Sequence, residues 1–166
     1  EGGGVDWNAA LDAIGERTRV VAIQRSRGYD WRASFTVDEI GEMVRRVKAV
    51  KPDAIVFVDN CYGEFTEETE PTEVGVDLMA GSLIKNPGGG LALSGGYICG
   101  RADLVDKAAG RLTAPGIGGE VGATAGMQRW MFQGFFLAPH MVGQAVKGSI
   151  FAAAMFEELG FESKPR

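Results

Sequence analysis

The chain of 166 residues contains one histidine, His140, and two cysteines, Cys61 and Cys99. A structural zinc site needs four Cys or His ligands, and a disulfide scaffold needs a regular set of cysteines, so neither is supported. No CxxC is present, and two reduced thiols in a cytosolic protein is the expected state. No apolar run approaches the roughly 18 residues needed to cross a bilayer. Nothing at the start has the form of a signal peptide, so no membrane partner is expected and cytoplasm is the default compartment. Lys and Arg form no run, and the net charge is −5; without a basic stripe, nucleic acid is not an expected partner either. No glycine run leads into Lys-Ser or Lys-Thr, so there is no phosphate loop of that kind. Gly116 and Gly118 begin a dinucleotide fingerprint, but Val121 occupies the place of its last glycine. The acidic run Glu64 to Glu73 lacks calcium-loop spacing and reads as a solvated loop. His140 falls in the last helical segment and reads as a surface residue rather than a partner for either thiol.

What remains is a globular composition, 45% hydrophobic and 23% charged, of about one domain's size. The chain opens with Glu1-Gly2-Gly3-Gly4 and stops at Lys164-Pro165-Arg166, just after a helical pattern. Both ends read as cut from a longer protein, so an incomplete active site is expected.

Asp6 is placed to cap a short helix through Ile14. Val20 to Ile23 reads as a buried strand opening into the polar loop Gln24-Arg25-Ser26-Arg27-Gly28. Thr36 with Glu39 forms a capping box for a helix that ends near Val50. Ala54 to Val58 is a continuous apolar run without alternation, the pattern of a parallel strand buried on both faces. Val76 to Ile84 is a short apolar segment, and Gly95 to Gly100 reads as the outgoing strand of a hairpin. Asp103 to Leu112 reads as a helix, and the Pro115 to Gly122 stretch as a glycine-rich loop. The pattern is helical from Thr124, with Pro139 opening the last helix and Val142, Val146, Ile150, Ala153, Ala154 and Phe156 facing inward. Strand, helix, strand with flanking helices is an α/β layer architecture.

Two residues carry chemistry in this pattern. Asp59 follows a buried strand directly, at the carboxyl end where open α/β sheets bind ligands; a local turn hydrogen bond is the alternative. Lys85 follows the next apolar segment and precedes Gly88-Gly89-Gly90. At the edge of the core its amine is expected to be desolvated and its pKa depressed, while the glycines would let backbone approach a ligand. A surface lysine at a strand end is the alternative there. A lysine for a Schiff base and an acid for a pyridinium nitrogen are what pyridoxal phosphate requires of a protein.

The segments Val58-Asp59-Asn60-Cys61-Tyr62-Gly63-Glu64-Phe65, Gly75-Val76-Asp77-Leu78 and Gly81 to Gly90 make the comparison specific. With Gln24 to Tyr29 and Gly116 to Gly122, they resemble the methionine γ-lyase-like family also called aluminium resistance proteins, among the fold type I pyridoxal phosphate enzymes. The resemblance implies a three-layer, mainly parallel sheet, the incomplete core of the large domain of that fold. Residues 1–138 would belong to the large domain, and 139–166 would lead toward a small domain outside the chain. It implies Lys85 as the cofactor-bearing lysine and proton shuttle, Asp59 as partner of the ring nitrogen, and Ser82 as a phosphate contact. A local turn hydrogen bond is the alternative for Ser82. The cystathionine lyases carry a hydroxyl residue just before this lysine, where this chain has Ile84, so one phosphate contact must come from elsewhere.

Tyr62 is a further candidate for the cofactor pocket, with packing as its alternative. Arg25 and Arg27 could reach the phosphate or a substrate carboxylate, with solvated loop arginines as theirs. Thr113 and the Gly116–Gly122 loop could complete a neighbouring subunit's site or serve as a plain connector. The aromatic residue that stacks on the ring, the glycine-rich phosphate loop and the arginine that grips the substrate carboxylate would all lie outside the chain. The piece alone is therefore expected to hold pyridoxal 5'-phosphate weakly or not at all. Elimination of a sulfur group from a small amino-acid substrate, in an intact homodimer or homotetramer, is what the resemblance implies. The residues by themselves equally allow an aminotransferase, a decarboxylase, or a non-catalytic ligand-binding module in which Lys85 only pairs with an anion.

Overall fold

The computed structural model describes residues 5–122 and 126–165. Four strands, β1 (Val20–Gln24), β2 (Ile55–Asp59), β3 (Leu78–Ser82) and β4 (Gly96–Gly100), form one sheet in the order β1-β2-β3-β4. The first three are parallel, and β4 runs antiparallel to β3. The hairpin partner of β4 is therefore β3. The intervening Leu91-Ala92-Leu93 is not a strand.

The helix α1 (Trp7–Asp12) starts where Asp6 accepts a hydrogen bond from the Ala9 N–H at 3.1 Å. The crossover helix α2 (Val37–Val50) links β1 to β2. Its capping box is complete: the Glu39 N–H donates to Thr36 Oγ1 at 3.2 Å, and the Thr36 N–H donates to Glu39 Oε2 at 2.8 Å. Val37, Ile40, Met43, Val44 and Val47 recur at helical spacing and are buried. Four of them, Ile40, Met43, Val44 and Val47, pack on Ile23, Val56, Val58 and Met79 to make the core. Burial of each such side chain contributes about 1.5–3 kcal/mol.

The strand β2 is not buried evenly on both sides. Val56 and Val58 are fully buried under α2, whereas Ile55, Phe57 and Asp59 are half-buried. Beneath this layer, Asp77 accepts from Lys48 Nζ at 2.7 Å, the Val56 N–H at 2.8 Å and Arg101 at 3.2 Å. Burial opposes its ionisation, but these donors outweigh that and hold its carboxyl below the usual carboxylate value.

The helix α3 (Ala102–Leu112) follows β4. The last helix, α4, runs from Gln128 to Glu158 with Pro139 inside it, so Pro139 does not open the helix. Of the residues expected to face inward, Val142 and Ala153 are buried, while Val146, Ile150, Ala154 and Phe156 are exposed. The helix is seated at its N-terminal third, where Gly134 lies against Gly88 and Gly89, and its remainder meets little else. Thr124 lies outside the described residues.

Candidate functional site

Parallel strands β2 and β3 end side by side, with Asp59 in register with Ala80. The side chains just beyond these ends face a common cleft of about 490 Å3, lined by Asp59, Cys61, Tyr62, Lys85, Arg27 and Tyr29 among others. Open α/β sheets bind ligands at this edge, because the connecting loops part there.

Local geometry aims each group. Asp59 Oδ1 accepts the Cys61 N–H at 3.1 Å and tightens the turn after β2. This is the turn contact weighed above, yet an ionised carboxylate has further lone pairs for a second donor. Tyr62 then adopts φ 70°, a left-handed backbone rare for an aromatic residue. Strain of that kind costs on the order of 1–3 kcal/mol and collects at functional positions. It turns the Tyr62 ring outward, 60% exposed, over Lys85 Nζ at 4.5 Å from the ring centroid. Tyr62 therefore lines the cleft and does not pack in the core.

Lys85 itself is half-buried. Its N–H donates to the Ser82 carbonyl at 3.2 Å and its carbonyl accepts the Gly88 N–H at 3.0 Å, so it sits at the corner of a tight turn. The Lys85 pKa is raised, not depressed. A side-chain hydrogen bond with Cys61 is the main cause; burial opposes it, and Tyr62 and Asp59 add to the rise. The amine is solvated enough that its partners decide its charge. The Cys61 thiol is pushed up in turn by burial and by Asp59, with Lys85 pulling the other way, so it stays protonated. Cys61 thus stands among Asp59, Tyr62 and Lys85, a place its sequence position two residues past the strand-end aspartate could have signalled.

Arg25 does not reach the cleft as an anion receptor. It is 2% exposed, and its guanidinium binds Asn60 Oδ1 at 2.7 Å, Glu67 Oε1 at 2.6 Å, Thr66 Oγ1 at 3.4 Å and the Phe35 carbonyl at 3.4 Å. Glu70 lies 3.5 Å from it. The acidic run is correspondingly not a wholly solvated loop: it folds back under the site, and Glu64 is only 4% exposed. Tyr97 donates to Glu64 Oε1 at 2.8 Å, and Asn60 Nδ2 donates to Glu70 at 3.0 Å. Burial raises the Glu64 pKa above the usual value, although the Tyr97 hydrogen bond works against it. An arginine directly after an apolar strand, with acids some forty residues on, is the only trace of this network in the sequence.

The glycines after Lys85 have a different use from the one expected. A Cβ on Gly88 would overlap the Leu83 carbonyl, and one on Gly89 the Gly134 carbonyl. They let protein backbones meet each other. Ser82 ends β3 and is half-buried, but it is not among the residues lining the Lys85 cleft. The Thr113 hydroxyl bonds the carbonyls of Ala109 and Gly118 within its own loop. His140 is exposed on α4, and both cysteines are free thiols. The structure thus brings together Lys85, Asp59, Tyr62 and Arg27, and places Arg25 and Ser82 outside that cleft. Among the described residues, no helix is long and apolar enough to cross a membrane.

Comparison with known proteins adds a family. The model of the family described as methionine gamma-lyase matches residues 1–166. The uncharacterized protein YnbB of Bacillus subtilis is 56% identical over 164 residues, which are 99% of this chain and 39% of that protein. A crystal structure from Listeria innocua, of a protein proposed as a cystathionine beta-lyase involved in aluminum resistance, superposes with a TM-score of 0.93. It is 58% identical and is matched over 97% of this chain and 40% of its own. The pyridoxal-5'-phosphate dependent protein YhfS from Escherichia coli has a TM-score of 0.61 at 16% identity, over 92% of this chain and 39% of its own, a likeness of fold alone. The chain spans about two fifths of the length of each of these three proteins.

Proposed function

The chain belongs to the methionine gamma-lyase family, and from that premise we propose that it is the cofactor-holding core of a pyridoxal-phosphate-dependent carbon–sulfur lyase. The observation that carries the reading is the convergence of Lys85 and Asp59, from two different strands, on one cleft. The donor set fits the cofactor: a primary amine for its aldehyde and a carboxylate for its ring nitrogen. When bound, the cofactor supplies an electron sink for the carbanion formed at the substrate's α-carbon.

The protein groups do the rest. Asp59 holds the ring nitrogen protonated. Lys85 anchors the cofactor, and once displaced by the substrate amine it takes the α-proton as general base. Tyr62 flanks the amine, where its ring face favours the ammonium form. Ser82, on the neighbouring strand end, is the proposed phosphate contact. The substrate is a sulfur-containing amino acid that loses its sulfur group by β- or γ-elimination, in a homodimer or homotetramer of the full-length protein.

Reductive trapping tests this. The full-length protein is incubated with pyridoxal phosphate, reduced with borohydride and mapped by peptide mass. A pyridoxyl adduct confined to Lys85, and lost in Lys85→Ala, is the expected result. Because Lys85 must be neutral to react and its pKa is raised, the trapping rate should climb with pH through the alkaline range. The raised pKa also favours a second reading, a non-catalytic module in which Lys85 is a permanent cation that pairs with an anion. Adducts scattered over surface lysines, or none, would select that reading.

A further inference from the structure

We propose that Arg27 recognises the substrate: its guanidinium receives the α-carboxylate of the amino acid that enters the Lys85 cleft. This deepens the function proposed above and rests on it. Arg27 is half-buried on the loop after β1. Its side chain lines the Lys85 cleft and also the adjoining cleft of about 660 Å3, in which Tyr62 is again a wall.

Three arginines border the adjoining cleft, and two of them are engaged. Arg25 is held by Glu67, Glu70 and Asn60. Arg32 donates to the carbonyls of Gln24, Ser26 and Ala33. Among the described residues, no carboxylate or carbonyl pairs with Arg27, whose contact is with the Trp31 ring at 5.4 Å from the centroid. A half-buried guanidinium without an anion is a receptor for a planar oxyanion, which it can grip in a bidentate manner.

The sheet order says which oxyanion. Arg27 follows β1, Asp59 ends β2 and Ser82 ends β3, with β2 in the middle. With the ring nitrogen at Asp59 and the phosphate at Ser82, Arg27 lies across Asp59 from the phosphate. The substrate's carboxylate is attached to the carbon that bears its amino group, and that amino group must meet the cofactor where Lys85 does. The carboxylate therefore enters the cleft that Arg27 and Lys85 share.

The test compares L-norleucine with L-norleucinamide, which differ only in the carboxylate and have no sulfur group to lose. Binding of each to the cofactor-loaded full-length protein is read from the cofactor's visible absorbance, beside a separate titration of cofactor affinity. The wild type should prefer the carboxylate on the order of 10- to 100-fold, as a charge-assisted pair implies. Arg27→Gln should lose most of that preference with cofactor affinity unchanged. Arg27→Lys keeps the charge without the fork and covers the case in which the first variant does not fold; it should lose part of the preference. Preference retained in both variants, or absent in the wild type, overturns the proposal. So does a loss of cofactor affinity with the preference intact, which would assign Arg27 to the phosphate. Failure of wild-type trapping at Lys85 is a separate result and overturns the function itself.

Discussion

Arg25 gives its guanidinium to Asn60, Thr66, Glu67 and the Phe35 carbonyl while almost wholly buried. A lysine in its place would offer one ammonium and could not reach these acceptors in several directions. Removing it leaves the acceptors of Asn60 and Glu70 facing each other without their cation. Arg25→Ala in the full-length protein should cost about 3 kcal/mol in urea unfolding, the scale of a broken buried pair. An effect below about 0.5 kcal/mol, the range of ordinary surface changes, would show that the cluster is solvated. The sequence carried Asp59 and Lys85 openly, since each stands at the end of an apolar run. It concealed Arg25, whose partners lie 35 to 42 residues away.

At the scale of elements, the seat of α4 depends on two glycines. The Gly134 Cα side meets the Gly88 carbonyl, so an added methyl would overlap backbone. Helix propensity alone would have Gly→Ala stabilise a helix by about 1 kcal/mol. Gly134→Ala should instead lower the unfolding midpoint of the full-length protein, because neither backbone can yield without separating α4 from the turn after β3. Gly143→Ala and Gly148→Ala, on the same helix with nothing within 4 Å of the added methyl, should leave stability unchanged or raise it by up to about 1 kcal/mol. The same sign at all three positions would refute this packing. The sequence showed α4 as helical but not its length. Pro139 fits a first turn, and only the structure shows the helix passing through it.

For the whole molecule, two carboxyls set opposite responses to pH. The Glu64 pKa lies above its usual value of 4.5. The folded chain thus keeps a proton that the unfolded chain releases, and stability falls as pH rises from the usual value through the raised one. Asp77 is held below its usual 3.8; its contribution is present above that value and fades as pH drops through the lowered one. Glu64 Oε2 is buried with no hydrogen-bond partner, so an ionised form would be poorly compensated. Glu64→Gln in the full-length protein should flatten the decline in thermal midpoint above pH 4.5 and leave the acid-side loss in place. A decline as steep in the variant as in the wild type would remove Glu64 as its cause.

By itself the sequence determined what depends on neighbours in the chain: β1 and β2 from apolar runs, and α2 from its capping box and its apolar spacing. It also placed Asp59 and Lys85 just past strand ends, because a parallel sheet puts every such end on one edge. Only the tertiary structure decided which charged groups are buried and which face the cleft. Arg25 and Arg27 are two residues apart on one loop, yet the first points into a ring of acids and the second into open space beside Lys85. That difference comes from how the loop 60–70 folds back beneath β1 and β2. Local periodicity holds no record of it, since the contacts join residues that only strand register brings together.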